Sequence, residues 1–295
     1  MRDPEEKEMM AYIAGLIDGD GNIGMRIGPR GKLSPLIQFH NSVEKIPLYL
    51  NSLFGGTVTF DRPKKEGYKK IWRWMLQGQK GCKNFIEKVG TFLVLKKDSA
   101  FELLEFIQKP LAGKDYYSYC KDLNHKRKIE EVNFENVQRK DNQNPYFWAY
   151  IAGLMDTDGS FSVQRSVRKP DDGNRQKNNL IKYRPKILLS MVSDRSIRFL
   201  LENCTFGTIH TIGAKTALRK CAFRFDLSSK KDVIEFLKKI IPYLQIKSQQ
   251  ALLLLDFCRN YTPTKGVAKV PEEEILYREK TYKEMINLNE SGHLK

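Results

Sequence analysis

Two stretches of the chain are nearly identical. Ala11-Tyr-Ile-Ala-Gly-Leu-Ile-Asp-Gly-Asp-Gly21 and Ala149-Tyr-Ile-Ala-Gly-Leu-Met-Asp-Thr-Asp-Gly159 agree at nine of eleven positions, 138 residues apart. Further along, Leu95-Lys-Lys-Asp-Ser-Ala100 resembles Ile246-Lys-Ser-Gln-Gln-Ala251 at an offset of 151. The growth of the offset falls mostly in the polar segment 169–179, which is typical of a longer hairpin loop in the second copy. The sequence therefore predicts two copies of one domain.

Each copy is predicted to begin with a helix and to continue as antiparallel strands and helices. Asp3 before Pro4, and Asn144 before Pro145, are the residue types of a helix N-cap and first helical position. Alternation of apolar and polar residues predicts strands at 22–28, 36–41, 57–62, 68–76, 160–164, 183–190, 207–212 and 219–227. Helical spacing predicts helices at 43–54, 80–90, 97–109, 194–203, 230–241 and 248–259. Each half is thus expected to be an α+β unit with about four antiparallel strands.

Composition limits the class of protein and of partner. The chain has 295 residues and a net charge of +16, from 51 Lys and Arg against 35 Asp and Glu. We expect a first repeat at 1–121, a linker at 122–144 and a second repeat at 145–295. So large a positive excess favours a polyanionic partner, and nucleic acid ranks ahead of an anionic membrane surface.

Cysteine usage and apolar content narrow the expectations further. The five cysteines form no CxxC pair, which argues against a structural zinc site and favours a reducing compartment. The longest apolar run is far below the roughly 18 residues of a membrane-spanning helix, so we expect no membrane partner. The acidic start of the chain predicts neither a signal nor a transit peptide.

The repeated helices have small residues spaced for close packing. Ala11 and Gly15 lie one turn apart, as do Ala149 and Gly153, and such pairs let two helix backbones approach. Packing of these faces would bring two Asp-x-Asp-Gly ends side by side. Acidic side chains are unfavourable at helix C-termini, so a divalent cation would relieve the repulsion. Carboxylate and carbonyl oxygens without nearby His or Cys favour Mg²⁺ over zinc. A single such motif is more often a plain helix cap and turn; its duplication favours the metal site.

The motifs Ile13-Ala-Gly-Leu-Ile-Asp-Gly-Asp-Gly21 and Ile151-Ala-Gly-Leu-Met-Asp-Thr-Asp-Gly159 resemble those of double-motif LAGLIDADG homing endonucleases. The resemblance extends over about residues 5–260. It implies a pseudo-twofold pair of αββαββα repeats, each with a four-stranded antiparallel, saddle-shaped sheet, joined at the paired motif helices. It further implies a monomeric DNA endonuclease.

The resemblance also assigns roles at the motif ends and at two lysines. Asp20 and Asp158 match the acid that binds the catalytic Mg²⁺ (or Mn²⁺), and Gly19 and Thr157 match positions that lend it a backbone carbonyl. Lys96 and Lys247 match the basic residue that organises water and stabilises the charged transition state. The earlier acids, Asp18 and Asp156, match a structural position at the helix end.

The residue that holds the attacking water is left open. Family members often have Gln at the end of the second strand, but the comparable windows here are Phe39-His-Asn-Ser42 and Leu189-Ser-Met-Val192. The alignment is ambiguous by a residue or more. His40, Asn41 and Ser190 all remain candidates, and His40 is equally a candidate base reader.

The reaction implied by the resemblance is hydrolysis of two phosphodiesters, one per strand, facing each other across one minor groove, with short 3′ overhangs. Polar strand faces are expected to contact DNA over about two helical turns. The candidate DNA-binding residues are Arg26, Arg30, Lys32, Gln38, His40, Ser162, Gln164, Arg168, Lys182, Arg184, Lys186, Lys220 and Arg224. Because the two halves differ at nearly all of these positions, we expect an asymmetric target.

Two other functions stay open at this stage. One is a maturase that binds group I intron RNA and assists its splicing, and the other is a DNA-binding regulator without cleavage. Intact Asp20 and Asp158 with both lysines argue against the regulator. An organellar origin, mitochondrion or chloroplast, is a family expectation that the many Lys, Ile and Asn residues weakly support.

Overall fold

The computed structural model describes residues 3–28, 33–61, 70–109, 137–168, 180–212, 222–262 and 271–291. Three candidate DNA-binding residues, Arg30, Lys32 and Lys220, lie outside these ranges, as does the side chain of Arg168. Most of the predicted linker and the segment 169–179 also lie outside them.

The described part of the chain follows the predicted repeat. The first half contains α1 (Pro4–Asp20), β1 (Gly21–Ile27), β2 (Leu33–Asn41), α2 (Lys45–Phe54), β3 (Thr57–Asp61), β4 (Ile71–Gln77), α3 (Gln79–Val89) and α4 (Lys97–Gln108). The second half contains α5 (Pro145–Thr157), β5 (Gly159–Arg168), β6 (Leu180–Met191), α6 (Asp194–Glu202), β7 (Thr208–Ile212), β8 (Ala222–Leu227), α7 (Lys230–Ile240) and α8 (Ser248–Asn260). A last helix, α9 (Glu272–Ser291), follows.

Each half contains one four-stranded antiparallel sheet, with strand orders β1-β2-β4-β3 and β5-β6-β8-β7. The strands alternate between a buried and an outward face: Ile37 and Phe39 of β2 are buried, whereas Gln38 and His40, which alternate with them, are partly accessible. The buried faces pack on the helices in a core that is continuous through both halves. The predicted fold class, a duplicated α+β arrangement, is confirmed.

The two motif helices, α1 and α5, pack directly against each other and join the halves. Their glycines are at the contact. A Cβ atom built on Gly15 would lie 2.1 Å from the Tyr150 carbonyl oxygen, and one on Gly153 would lie 2.2 Å from the Tyr12 carbonyl oxygen. Neither position has room for any side chain, so the helix backbones are in van der Waals contact there.

The starts of these helices have the expected caps. The Asn144 side chain accepts a hydrogen bond from the Tyr146 amide at 3.0 Å, and Asp3 accepts one from the Glu5 amide at 3.4 Å. Upstream of Asn144, residues 137–144 lie on the second half, where the Lys140 amide donates to the Glu202 carbonyl. The described end of the predicted linker is therefore attached to the repeat that it precedes.

The helix α9 has no counterpart among the predicted elements. It packs on α8 and on the edge strand β5, and Asn289 donates from its side-chain amide to the Phe161 carbonyl at 3.1 Å. Its buried face consists of Arg278, Thr281 and Met285, so apolar spacing alone does not reveal it.

The described residues also show whether a helix could span a membrane and whether the cysteines are free. No helix there combines the length and the apolar character needed to cross a bilayer. Cys82, Cys204 and Cys258 are free and buried, and the other two cysteines lie outside the described ranges.

Candidate active site at the ends of the paired helices

The C-terminal ends of α1 and α5 meet. A Cβ atom built on Gly19 would lie 2.0 Å from the Thr157 hydroxyl oxygen and 3.2 Å from a carboxylate oxygen of Asp158. The absence of a side chain at Gly19 therefore lets the second motif end lie against the first. The arrangement brings Asp20 and Asp158 to one place, as the packing of the small-residue faces predicts.

The two carboxylates share an environment that disfavours their charge. Both side chains are exposed at the helix ends, yet partial desolvation there is the main cause that raises the pKa of Asp20 and of Asp158, and the charge of Asp20 raises that of Asp158 further. Lys96 and Lys247 oppose these shifts. Within the described ranges, no group of three or more His, Cys, Asp and Glu side chains gathers into a ready metal cage. The protein's donor set is two hard carboxylates whose repulsion a cation would relieve.

Each half supplies one lysine to the end of its own motif helix. The Lys96 ammonium donates to the carbonyls of Ile17 at 2.7 Å, Asp18 at 2.6 Å and Gly19 at 3.4 Å. Burial lowers the pKa of Lys96, while Asp18, Asp158 and Asp20 oppose that shift. The ammonium therefore faces the acids of both motifs.

Lys247 repeats this arrangement in the second half. Its ammonium donates to the carbonyls of Met155 at 2.9 Å, Thr157 at 2.9 Å and Gly159 at 2.6 Å. A cation at a helix C-terminus is favoured by the helix dipole and by the free carbonyls of the last turn. The Gly19 and Thr157 carbonyls expected to contact a metal thus accept from lysines, and each keeps a second lone pair.

The first acid of each motif anchors the segment that carries the lysine. The Asp18 carboxylate accepts backbone N–H bonds from three consecutive residues, Val94, Leu95 and Lys96, at 2.7, 2.9 and 2.9 Å. The Asp156 carboxylate does the same for Gln245, Ile246 and Lys247, at 2.8, 3.1 and 2.8 Å. Both acids are buried, which agrees with the structural role that the resemblance implies.

The two centres differ at the ends of their second strands. In the first half, the Asn41 side-chain amide donates to Asp20 at 3.3 Å. Asn41 is paired across the sheet with Trp72, and the corresponding pair in the second half is Met191 with Phe223. The strand register therefore aligns Asn41 with Met191, which has no amide to offer Asp158.

One residue earlier in each second strand, His40 is paired with Arg73 and Ser190 is paired with Arg224. Arg73 donates from Nε to His40 Nε2 at 2.8 Å and forms an ion pair with Asp61 at 2.7 Å. Burial and the Arg73 charge lower the pKa of His40, which suits its role as an acceptor. The Arg224 Nε is buried, with no hydrogen-bond partner among the described residues.

Arg73 is a site residue that the sequence analysis did not identify. Arg73 and Arg224 repeat at an offset of 151, the same as Lys96 and Lys247, so a search at that offset would have found the pair.

The predicted DNA-binding residues within the described ranges lie on the outward faces of the sheets. Arg26, Gln164 and Arg184 are exposed. The half-buried members are Gln38, His40, Ser162, Lys182, Lys186 and Arg224. Lys186 is ion-paired with Asp226 on the neighbouring strand, which offsets its charge.

The fold and the site together define a class: a duplicated α+β protein whose paired helices bring one acid and one half-buried lysine from each half close together. The LAGLIDADG endonuclease family matches residues 151–261 of the chain. The sequence matches none of the curated proteins. The comparison with solved structures, by contrast, covers nearly the whole chain.

Three solved structures illustrate the similarity. Meganuclease I-SmaMI bound to uncleavable DNA with a TTGT central four has a TM-score of 0.60 at 13% identity, over 95% of this chain and 97% of that chain. LAGLIDADG homing endonuclease I-GzeII in complex with its DNA target gives 0.57 at 13%, over 95% and 97%. I-SmaMI bound to an uncleaved DNA target in the presence of calcium ions gives 0.56 at 13%, over 97% and 99%.

These comparisons confirm the resemblance. Residues 151–261 match the LAGLIDADG endonuclease family, and the fold of the described residues is similar to that of the LAGLIDADG meganucleases.

Proposed function

We propose that the protein is a site-specific homing endonuclease that hydrolyses one phosphodiester in each strand of a DNA duplex. The observation that carries this proposal is the meeting of Asp20 and Asp158, two acids of raised pKa, with the half-buried Lys96 and Lys247 both near them. The endonuclease family match and the DNA-bound state of the similar structures support it.

A hard divalent cation, Mg²⁺ or Mn²⁺, fits the donor set. Asp20 and Asp158 would each hold one such ion, with the second lone pairs of the Gly19 and Thr157 carbonyls as further donors. Such an ion lowers the pKa of a bound water and neutralises charge on the attacking and leaving oxygens of an in-line displacement. The calcium ions present with one similar structure are consistent with a divalent site of this kind.

The chain's own residues have three tasks in this reaction. Lys96 and Lys247 place fixed positive charge beside the phosphate whose negative charge grows in the transition state. Both side chains are half-buried, so solvent screens that interaction less than it would for fully exposed lysines. In the first centre, Asn41 orients the Asp20 carboxylate through its amide and so acts as a positioning residue.

The geometry also favours a particular pair of scissile bonds. Because Asp20 and Asp158 adjoin, the two phosphates that reach them are those that face each other across one minor groove. Cleavage there leaves short 3′ overhangs. The outward faces of both sheets would then follow the duplex over about two helical turns, with the net charge of +16 supplying phosphate contacts.

One chain is expected to act on each duplex, because both motif helices are already present in it. For the free protein, light scattering should give a mass near the 34.3 kDa of one chain. For the complex, it should give the mass of one duplex plus one chain. A dimer required for cleavage would contradict this expectation.

The decisive experiment offers the protein a choice of targets. A plasmid library of intron-free organellar DNA is incubated with the protein and Mg²⁺, and the new ends are sequenced. We expect one dominant asymmetric site with paired nicks, absent with the Asp20→Asn/Asp158→Asn variant. Binding to group I intron RNA without cleavage of any duplex would instead favour the maturase function.

A further inference from the structure

The two motif helices exchange a pair of buried hydrogen bonds that the proposed reaction does not use. The Tyr12 hydroxyl, on α1, donates to Asp156 of α5 at 2.8 Å. The Tyr150 hydroxyl, on α5, donates to Asp18 of α1 at 2.9 Å. Each tyrosine therefore contacts the acid of the opposite half.

The acceptor atom matters, because in each acid one oxygen serves both halves. Asp156 Oδ2 accepts from the Tyr12 hydroxyl and also from the amides of Gln245 and Ile246, which lead to Lys247. Asp18 Oδ2 likewise accepts from the Tyr150 hydroxyl and from the amides that lead to Lys96. A tyrosine of one half thus shares its acceptor with the lysine segment of the other.

Both hydroxyls are built to remain donors. Burial and the adjacent carboxylate raise the pKa of Tyr12 and of Tyr150 above the ordinary range, so neither ionises at physiological pH. Both side chains are buried, so their hydroxyls depend on protein partners rather than on solvent: the carboxylate in each case, and at Tyr150 the nearby Ser196 side chain as well.

From this geometry we propose that Tyr12 and Tyr150 are crossed positioning residues: Tyr12 sets the place of Lys247, and Tyr150 sets the place of Lys96. The inference rests on the proposed function for its cleavage readout. A centre in one half is then held in working geometry by a residue of the other half. Neither centre is a self-contained unit of its own repeat.

The two crossed contacts have different surroundings. Tyr12 is among the residues that line a cavity of about 290 Å³, together with Tyr49 and Tyr243. The Tyr150 ring packs against Phe199, with ring centroids 5.6 Å apart, and the buried Ser196 side chain lies near its hydroxyl.

The test uses Tyr12→Phe and Tyr150→Phe, which remove one oxygen and keep the ring. The strand cut by each centre is first assigned with Asp20→Asn and Asp158→Asn, on a duplex labelled differently at its two ends. Tyr12→Phe should slow the strand assigned to Asp158 by about 10-fold and spare the other, as outer-shell partners do in metal sites. Tyr150→Phe should slow the strand assigned to Asp20 by a similar factor. Tyr49→Phe, whose hydroxyl donates to Met9 sulfur instead, is the matched control and should slow neither.

A second measurement needs neither metal nor DNA. Amide hydrogen exchange should accelerate at residues 245–247 in Tyr12→Phe and at residues 94–96 in Tyr150→Phe, each without change in the opposite segment. Two outcomes would overturn the proposal: equal slowing of both strands, or exchange that rises in both segments together. Either would mean that the tyrosines only stabilise the helix interface as a whole. If the unmodified chain cuts no duplex, the proposed function fails, while the exchange result still decides the crossed contacts.

Discussion

The first and the second candidate centre are alike where the halves touch each other and different where each faces outward. Both have an acid that anchors three amides, a lysine that caps the helix end and a tyrosine received from the other half. At the strand ends, Asn41 with His40 in one half corresponds to Met191 with Ser190 in the other. The contact between the halves limits which residues either copy can have there. An outward side chain is not part of that contact, so it is free of this limit.

The sharpest way to break this comparison is to remove one motif acid at a time. Asp20→Asn and Asp158→Asn should each abolish cleavage of one assigned strand, a loss on the order of 10³-fold, because a metal ligand supplies several kcal/mol of transition-state stabilisation. Target affinity should survive in both variants, since phosphate and base contacts supply most of the binding energy. End-labelled duplexes measure cleavage, and gel shift measures affinity. Equal loss on both strands from either variant would mean one common centre.

The lysines test whether the two centres use their charge alike. Lys96→Met and Lys247→Met should each slow their own strand by about 10²-fold, the usual cost of losing one fixed donor to a charged transition state. The melting temperature should also fall, because the helix-end carbonyls lose a buried partner. Lys97→Met, at the exposed neighbouring position, controls for the loss of charge alone. A normal rate at either centre would show that its lysine only closes the helix.

Arg26 and Arg184 extend the comparison to the sheets, where both are exposed on outward faces. For each Arg→Ala variant, a base reader would relax discrimination at one target position by roughly 1–3 kcal/mol, and a phosphate contact would weaken all sequences alike. Fluorescence anisotropy across a salt series separates the two, because the logarithm of affinity falls with a slope near −0.9 per neutralised phosphate. Affinity that hardly changes with salt would contradict a duplex partner.

The smallest expected effect concerns Asn41, the residue that distinguishes the centres most directly. Burial raises the pKa of Asp20, and the Asn41 amide lowers it. In Asn41→Ala the carboxylate should therefore protonate at higher pH, so the acid limb of the pH–rate profile moves up for the strand assigned to Asp20. The other strand should keep its profile. Met191→Leu, at the aligned position, should shift neither limb, and a shift on both strands would count against a separate role for Asn41.

The repeated motif predicts more of this molecule than any other stretch. The repeat pairs Asp20 with Asp158 and Lys96 with Lys247. From these pairs the sequence predicts the fold class and places both acids and both lysines in the candidate site. Elements outside the last 25 residues agree with the predicted ranges to within about four residues, since their alternation and helical spacing are regular.

Contacts across the repeat are what the sequence does not reveal. Tyr12 and Asp156 are 144 positions apart, and nothing in a motif indicates that its tyrosine binds the other copy's acid. The alignment of Asn41 with Met191 is hidden because the offset slips between the first and second strands of the second copy. Strand pairing resolves it.

The glycine contact between α1 and α5 limits which substitutions each half can accept. A methyl group on Gly15 would overlap the Tyr150 carbonyl, and one on Gly153 would overlap the Tyr12 carbonyl. Neither position accepts a larger residue unless the backbone of the opposite helix moves, so the two motif helices constrain each other's sequence. The outward faces of the sheets are outside this contact. A residue there can be replaced in one half without disturbing the junction that holds the two halves together.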